Sequence, residues 1–174
     1  MKSVEVSFEK SEATDYVLEI LSLGICSLFF PMSFVQERGK LTGCCETEGF
    51  RCLTSFTELG TGDILHIASA ILRGAGQAEE RYIFSELYQI EPCCVYVDKT
   101  FVQVKLVFQP ARQQKTTAEQ TAQLLRYMGK RCGVEGAVYA ENAAEIVQSD
   151  GYGLRSRLHR LENLRREVYL CGIR

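Results

Sequence analysis

The segment Leu87–Pro110, LYQIEPCCVYVDKTFVQVKLVFQP, decides how the rest of the chain is read. Cys94–Asp98 and Val102–Phe108 are β-rich runs, and the short stretch Lys99-Thr100-Phe101 between them suits two adjacent strands. Valines alternating with polar residues such as Lys105 fit the two faces of a hairpin. Upstream, YIFSELYQI reads as a short helical or extended piece. Before it the period changes: Ile64, Ile67, Ala68, Ile71, Leu72 and Ala75 recur at helical spacing. A helix over 63–75 follows, weakened at its end by Gly74 and Gly76, with His66 on the opposite, solvated face.

The first third reads as strands. MKSVEVSF alternates, DYVLEI is a short β-rich run, and SLFFPMSFVQERGKLTGCCETE suggests two strands joined by a turn at Glu37-Arg38-Gly39-Lys40. GFRCLTSFTELGTG reads as a short helix or loop punctuated by Gly60 and Gly62. Past Pro110 the pattern is helical. Thr116 and Glu119 have the spacing of a capping box for a helix carrying Ala118, Ala122, Leu125 and Cys132. Tyr139, Ala143, Ile146 and Val147 line a second helix, and Leu154, Leu158, Leu161 and Val168 a third. The other face of that last helix carries Arg155, Arg157, Arg160, Arg165 and Arg166, a solvated charged face or a docking surface for an acidic partner or lipid head groups.

The expected fold is therefore α+β: a small antiparallel, strand-rich amino-terminal lobe over 1–60 and a mainly helical lobe over 61–174, in one domain of 174 residues. With 46% hydrophobic and 24% charged residues the chain has the composition of a folded globular protein rather than a disordered one. A net charge of −2 gives no drive toward nucleic acid. The longest apolar run, Ile20 to Met32, is too short to span a bilayer and contains Pro31, and MKSVEVSFEK lacks a secretory apolar core. A cytoplasmic location is expected.

Eight cysteines, at 26, 44, 45, 52, 93, 94, 132 and 171, include no CxxC. In a reducing compartment they read as small buried hydrophobes, and neighbours such as Cys44 and Cys45 on a strand point to opposite faces, a poor arrangement for one metal ion. No glycine-rich phosphate loop, HExxH or GxSxG is present, and neither metal nor cofactor is expected.

A protein kinase places a strand-rich lobe before a helical one, and a helix leads into a catalytic loop of the form HRDLKPEN, a hairpin and DFG. Laid on that pattern without gaps, LYQIEPCCVYVD covers HRDLKPENILLD, with Pro92 on the proline and Ile90 on the leucine, and VKLVFQP covers VKLIDFG. The frame is kept and the chemistry is not. Gln89 stands where the catalytic base needs a carboxylate, Cys94 where an asparagine holds magnesium, and Phe108 where the DFG aspartate holds the other magnesium contact. Magnesium takes oxygen ligands, so sulfur and a phenyl ring abolish such a site.

The chain resembles the degenerate kinase-like domains of Firmicutes, and in particular an uncharacterised family of amino-terminal domains that often precede forkhead-associated modules. It is more distantly similar to the EssB-type pseudokinase of type VII secretion. The resemblance rests on LFFPMSFVQERGK, on the helix and strand over 63–98, and on AVYAENAAEIVQSDGYGLRSRL, and implies a reduced kinase-like fold because few residues follow Pro110. It implies a non-catalytic module that binds a protein partner in a bacterial signalling or secretion assembly, membrane-associated in longer relatives. Two other readings stand beside it: a cysteine-dependent enzyme using His66 or His159, and a metal-independent nucleotide or metabolite sensor.

Overall fold

A computed structural model describes residues 2–173. Strand β1 (Ser3–Glu9) turns Val6 and Phe8 inward and leaves Glu5, Ser7 and Glu9 in solvent, the period-two pattern of a half-buried strand. It pairs antiparallel with β3 (Lys40–Glu46), Phe8 opposite Leu41 and Val6 opposite Gly43, and β3 pairs on its other side with β2 (Ser33–Glu37). The β2–β3 turn is the expected one. Its two central residues, Arg38 and Gly39, have φ of 51° and 86°, the positive pair that a two-residue turn needs to match the twist of its strands.

DYVLEI is a helix rather than the expected strand: α1 spans Asp15–Leu23. Six residues are too few to separate a period of two from one of 3.6, and the flanks decide it. Thr14 caps the first turn, its side-chain oxygen accepting the Val17 amide, and Gly24 closes the last turn at φ 64°. Val17 and Leu21, one turn apart, are the buried pair.

GFRCLTS likewise does more than loop. Phe50–Cys52 forms β4, followed by a single 3-10 turn at Leu53–Ser55. β4 pairs antiparallel with β5 (Val95–Asp98), and β5 with β6 (Val104–Leu106), so a strand from the amino-terminal third completes the hairpin's sheet. The segment at Leu28–Phe30 lies along the other edge of β6: the Leu106 amide donates to the Leu28 carbonyl at 2.7 Å, and the Phe30 amide to the Leu106 carbonyl at 3.0 Å.

The helices are α2 (Thr61–Glu79), α3 (Thr117–Gly129), α4 (Val134–Gln148) and α5 (Leu154–Leu170). The predicted capping box of α3 is formed, Thr116 accepting the Glu119 amide while the Glu119 carboxylate accepts the Thr116 amide. α2 runs past both glycines expected to weaken it because they are contact points. A Cβ on Gly74 would lie 2.7 Å from Leu28 Cδ1, and one on Gly76 2.5 Å from Leu154 Cδ2. α2 packs against α3, α4 and α5, and its Ile64, Leu65, Ile67, Ala68 and Ile71 are all inaccessible. One continuous apolar cluster runs from Val6 and Phe8 through α2 to Val168 of α5. The fold is α+β, strand-rich first and helical after. Among the described residues no helix is long and apolar enough to cross a membrane.

Candidate functional site

The segment leading into β5 folds back beside the segment leaving β6. The Gln89 amide donates to the Gln109 carbonyl at 3.0 Å and the Ala111 amide to the Leu87 carbonyl at 3.1 Å, so Leu87–Gln89 and Gln109–Ala111 run as a short antiparallel pair. This brings together two of the three residues singled out in the sequence, Gln89 and Cys94. Gln89 is buried and donates its side-chain Nε2 to the Pro110 carbonyl at 2.6 Å. Cys94, also buried, lies with its Sγ 3.3 Å from Gln109 Oε1. Both side chains are occupied by the strip Gln109-Pro110.

The third position faces elsewhere. Phe108 is 1% exposed and sits edge-on to Phe8 of β1, with ring centroids 6.1 Å apart, and to Phe29, 5.8 Å apart. Phe8 meets Phe34 of β2, and Phe29 meets Tyr88, so a run of five rings passes from the amino-terminal sheet to the segment before β5. A second run, Phe50–Phe30–Tyr96, joins β4 and β5 through the segment at Leu28–Phe30. These rings interlock edge to face and tie the amino-terminal sheet to the hairpin. Beside Gln89 a polar depression of about 290 Å³ remains, lined by Glu91, Arg112, Lys115, Gln120 and Gln123 among others; neither Cys94 nor Phe108 reaches it.

Gln120 holds this arrangement to α3. Its Oε1 accepts the Ile90 amide at 2.7 Å, and its Nε2 donates to the carbonyls of Ser85 and Tyr88 at 3.1 and 3.2 Å. A buried glutamine thus satisfies backbone groups of the segment that its short pairing with Gln109–Ala111 leaves over. Sequence reading passed over it, because a glutamine on an amphipathic helix gives no sign of facing inward.

The five arginines of α5 do not form one free basic stripe. Arg157 donates to the Ser149 carbonyl at 3.1 Å, Arg160 lies 3.8 Å over the Tyr152 ring, and Arg165 and Arg166 both approach Glu162, at 4.0 and 3.8 Å. Arg155 is exposed.

Thiol chemistry is disfavoured where burial is deepest. Desolvation pushes the Cys26 thiol up, pushes Cys45 and Cys132 up to about 11, and pushes Cys94 higher still, so none is poised as a thiolate at neutral pH. His66 is half-buried rather than solvated, its Nε2 3.3 Å from the Val102 carbonyl, and His159 Nε2 lies 3.2 Å from Asn163 Nδ2; neither ring is recorded in hydrogen-bond contact with a cysteine among the described residues. The described residues also contain no group of three or more His, Cys, Asp or Glu side chains placed to share a metal ion. No protein-family model and no curated protein matches the chain.

Proposed function

We propose that the chain is a non-catalytic, kinase-like module that binds a protein partner, in the setting of a bacterial signalling or secretion assembly. The observation carrying this reading is what became of the three substituted positions. Gln89 and Cys94 are tied to the strip Gln109-Pro110, and Phe108 is locked between Phe8 and Phe29. An amide cannot accept the hydroxyl proton as a carboxylate base does, and neither a thiol nor a ring offers magnesium its oxygen ligands.

The order of elements supports the kinase-like part. In a kinase a lysine on a strand and a glutamate on the following helix form the pair that orders the phosphates. Here a single strand, β1, precedes α1, and its sequence, SVEVSFE, contains no lysine. Lys10, just beyond the strand, pairs instead with Asp15 at the exposed start of α1. The lysine that would order the phosphates is missing along with the metal ligands.

The test is a thermal melt with and without ATP and magnesium, alongside a phosphate-transfer assay. A ligand at a hundred times its Kd stabilises by ~2.7 kcal/mol, which for a domain of this size is a rise of about 5–11 °C. The expected result is an unchanged midpoint and no transfer. A rise of that size, or labelled phosphate on any acceptor, overturns the reading.

A further inference from the structure

A second concavity, of about 290 Å³, lies away from the site above, between α2 and the outer edge of β6. It is at the lower bound of pockets that enclose small molecules, ~300–1,000 Å³. Its walls include Ser27, then Arg73 and Gln77 from α2, and residues 102–105 at the start of β6. Two features of these walls, one in the backbone and one in charge, point to the same kind of occupant.

The backbone feature follows from strand alternation. Residues 103, 105 and 107 turn their polar groups toward β5: Gln103 accepts the Asp98 amide, Lys105 is paired with Tyr96, and the Val107 amide donates to the Cys94 carbonyl. Leu106 turns its groups the other way and is met there by Leu28 and Phe30. Val104, two residues back, faces the same outward side. No other backbone segment among the described residues reaches it. The chain's own Leu28–Phe30 thus occupies this edge at one position, and at the next an N–H donor and a C=O acceptor stand open on the groove. One step further the edge is closed again by His66 at the Val102 carbonyl.

The charge feature is a pair of cations without carboxylates. Arg73 is exposed and makes no ion pair among the described residues; Lys105, half-buried, makes none either, its Nζ lying 5.6 Å over the Phe30 ring, which lines a neighbouring concavity together with Glu46 and Glu48. The lining contains neither aspartate nor glutamate, in a chain whose net charge is −2. Asp98, the acid of the hairpin, is turned into its own loop, accepting the Thr100 hydroxyl at 2.6 Å and the Gln103 amide at 3.0 Å.

We propose that this groove binds an extended acidic segment of a partner protein: its main chain pairs with Val104 in line with Leu28–Phe30, and its carboxylates meet Arg73 and Lys105. A free anion would use the donor and the two cations and leave the carbonyl acceptor idle, whereas a peptide brings both an N–H and a C=O. The inference rests on the interaction-module reading and names the surface through which it acts. With one open pair of backbone groups, one exposed cation in Arg73 and one half-buried in Lys105, binding is weak and depends on salt.

The probe is a fluorescently labelled eight-residue peptide of alternating glutamate and valine, titrated by anisotropy against the full chain at low ionic strength. The expected result is saturable binding that falls at least about tenfold, ~1.4 kcal/mol, in the double variant Arg73→Glu, Lys105→Glu. Val104→Pro, which deletes the outward-facing N–H and leaves the β5-facing amides in place, weakens it as well. If the proline variant misfolds, the charge-reversal pair carries the test, since those side chains lie on the groove and not in the core. Equal binding by the charge-reversed chain, equal binding of a lysine–valine peptide, no saturable binding at all, or full displacement by an equivalent concentration of inorganic phosphate each overturns the proposal. None of these outcomes touches the ATP–magnesium and phosphate-transfer results, which judge the non-catalytic reading separately.

Discussion

Replacing Phe108 with alanine removes a ring that is 1% exposed and held edge-on by Phe8 and Phe29 at centroid distances of 6.1 and 5.8 Å. Truncating a buried phenylalanine to alanine costs ~3–5 kcal/mol through lost transfer energy and the cavity left behind. Against a total stability of ~5–15 kcal/mol this is a large share. In urea, at an m value of about 2 kcal/mol/M, it lowers the unfolding midpoint by roughly 1.5–2.5 M with m unchanged. A double-mutant cycle with Phe8→Ala isolates the contact between β1 and the end of the hairpin, with an expected coupling of ~0.5–1.5 kcal/mol. Phe108→Asp destabilises more than alanine because it places a carboxylate among aromatic rings, and yields no phosphate transfer. A loss below about 1.5 kcal/mol for Phe108→Ala, well under the range for buried phenylalanines, or a coupling of zero with Phe8→Ala, refutes the picture of interlocked rings joining β1 to the hairpin.

Gln120→Leu keeps the volume and removes every hydrogen bond from α3 to the Ser85–Ile90 segment. Each buried backbone group left unpaired costs ~1–3 kcal/mol, so a loss of about 3 kcal/mol is expected, with faster hydrogen exchange at the Ile90 amide; retained protection at Ile90 contradicts the assignment. The Cys45 thiol, raised by burial from 9.0 to about 11, keeps its proton in the fold after the unfolded chain has released it. Its contribution to stability is complete below pH 9 and is lost as pH rises toward 11. Cys45→Ala flattens that part of the profile, and an identical slope in both proteins between those pH values argues against a buried, neutral thiol.

The longer elements were legible because their periodicity repeats over several turns. Ile64, Ile67, Ala68 and Ile71 announce α2, and the Thr116–Glu119 spacing announces the start of α3. α1 was misread because Val17, Leu18, Ile20 and Leu21 satisfy either period, and the discriminating signals are the Thr14 cap and the left-handed Gly24. β4 has three residues and no local reason to be extended; it becomes a strand because β5, more than forty residues later, offers it a ladder. Gly74 and Gly76 look like helix ends in the sequence and are contact points for Leu28 and Leu154 in the fold.

By itself the amino-acid order determined the α+β class, the β2–β3 turn and the long helices. These are properties of residue type and of near-neighbour spacing, which a chain carries before it folds. Only the tertiary structure decided that Phe108 joins a run of rings reaching back to β1, that Gln120 turns inward to serve Ile90, and that Arg73 and Lys105 line one groove beside the edge at Val104. Each of these joins residues about thirty to a hundred positions apart, and such contacts are fixed by the packing of whole faces against one another, to which short-range periodicity is blind.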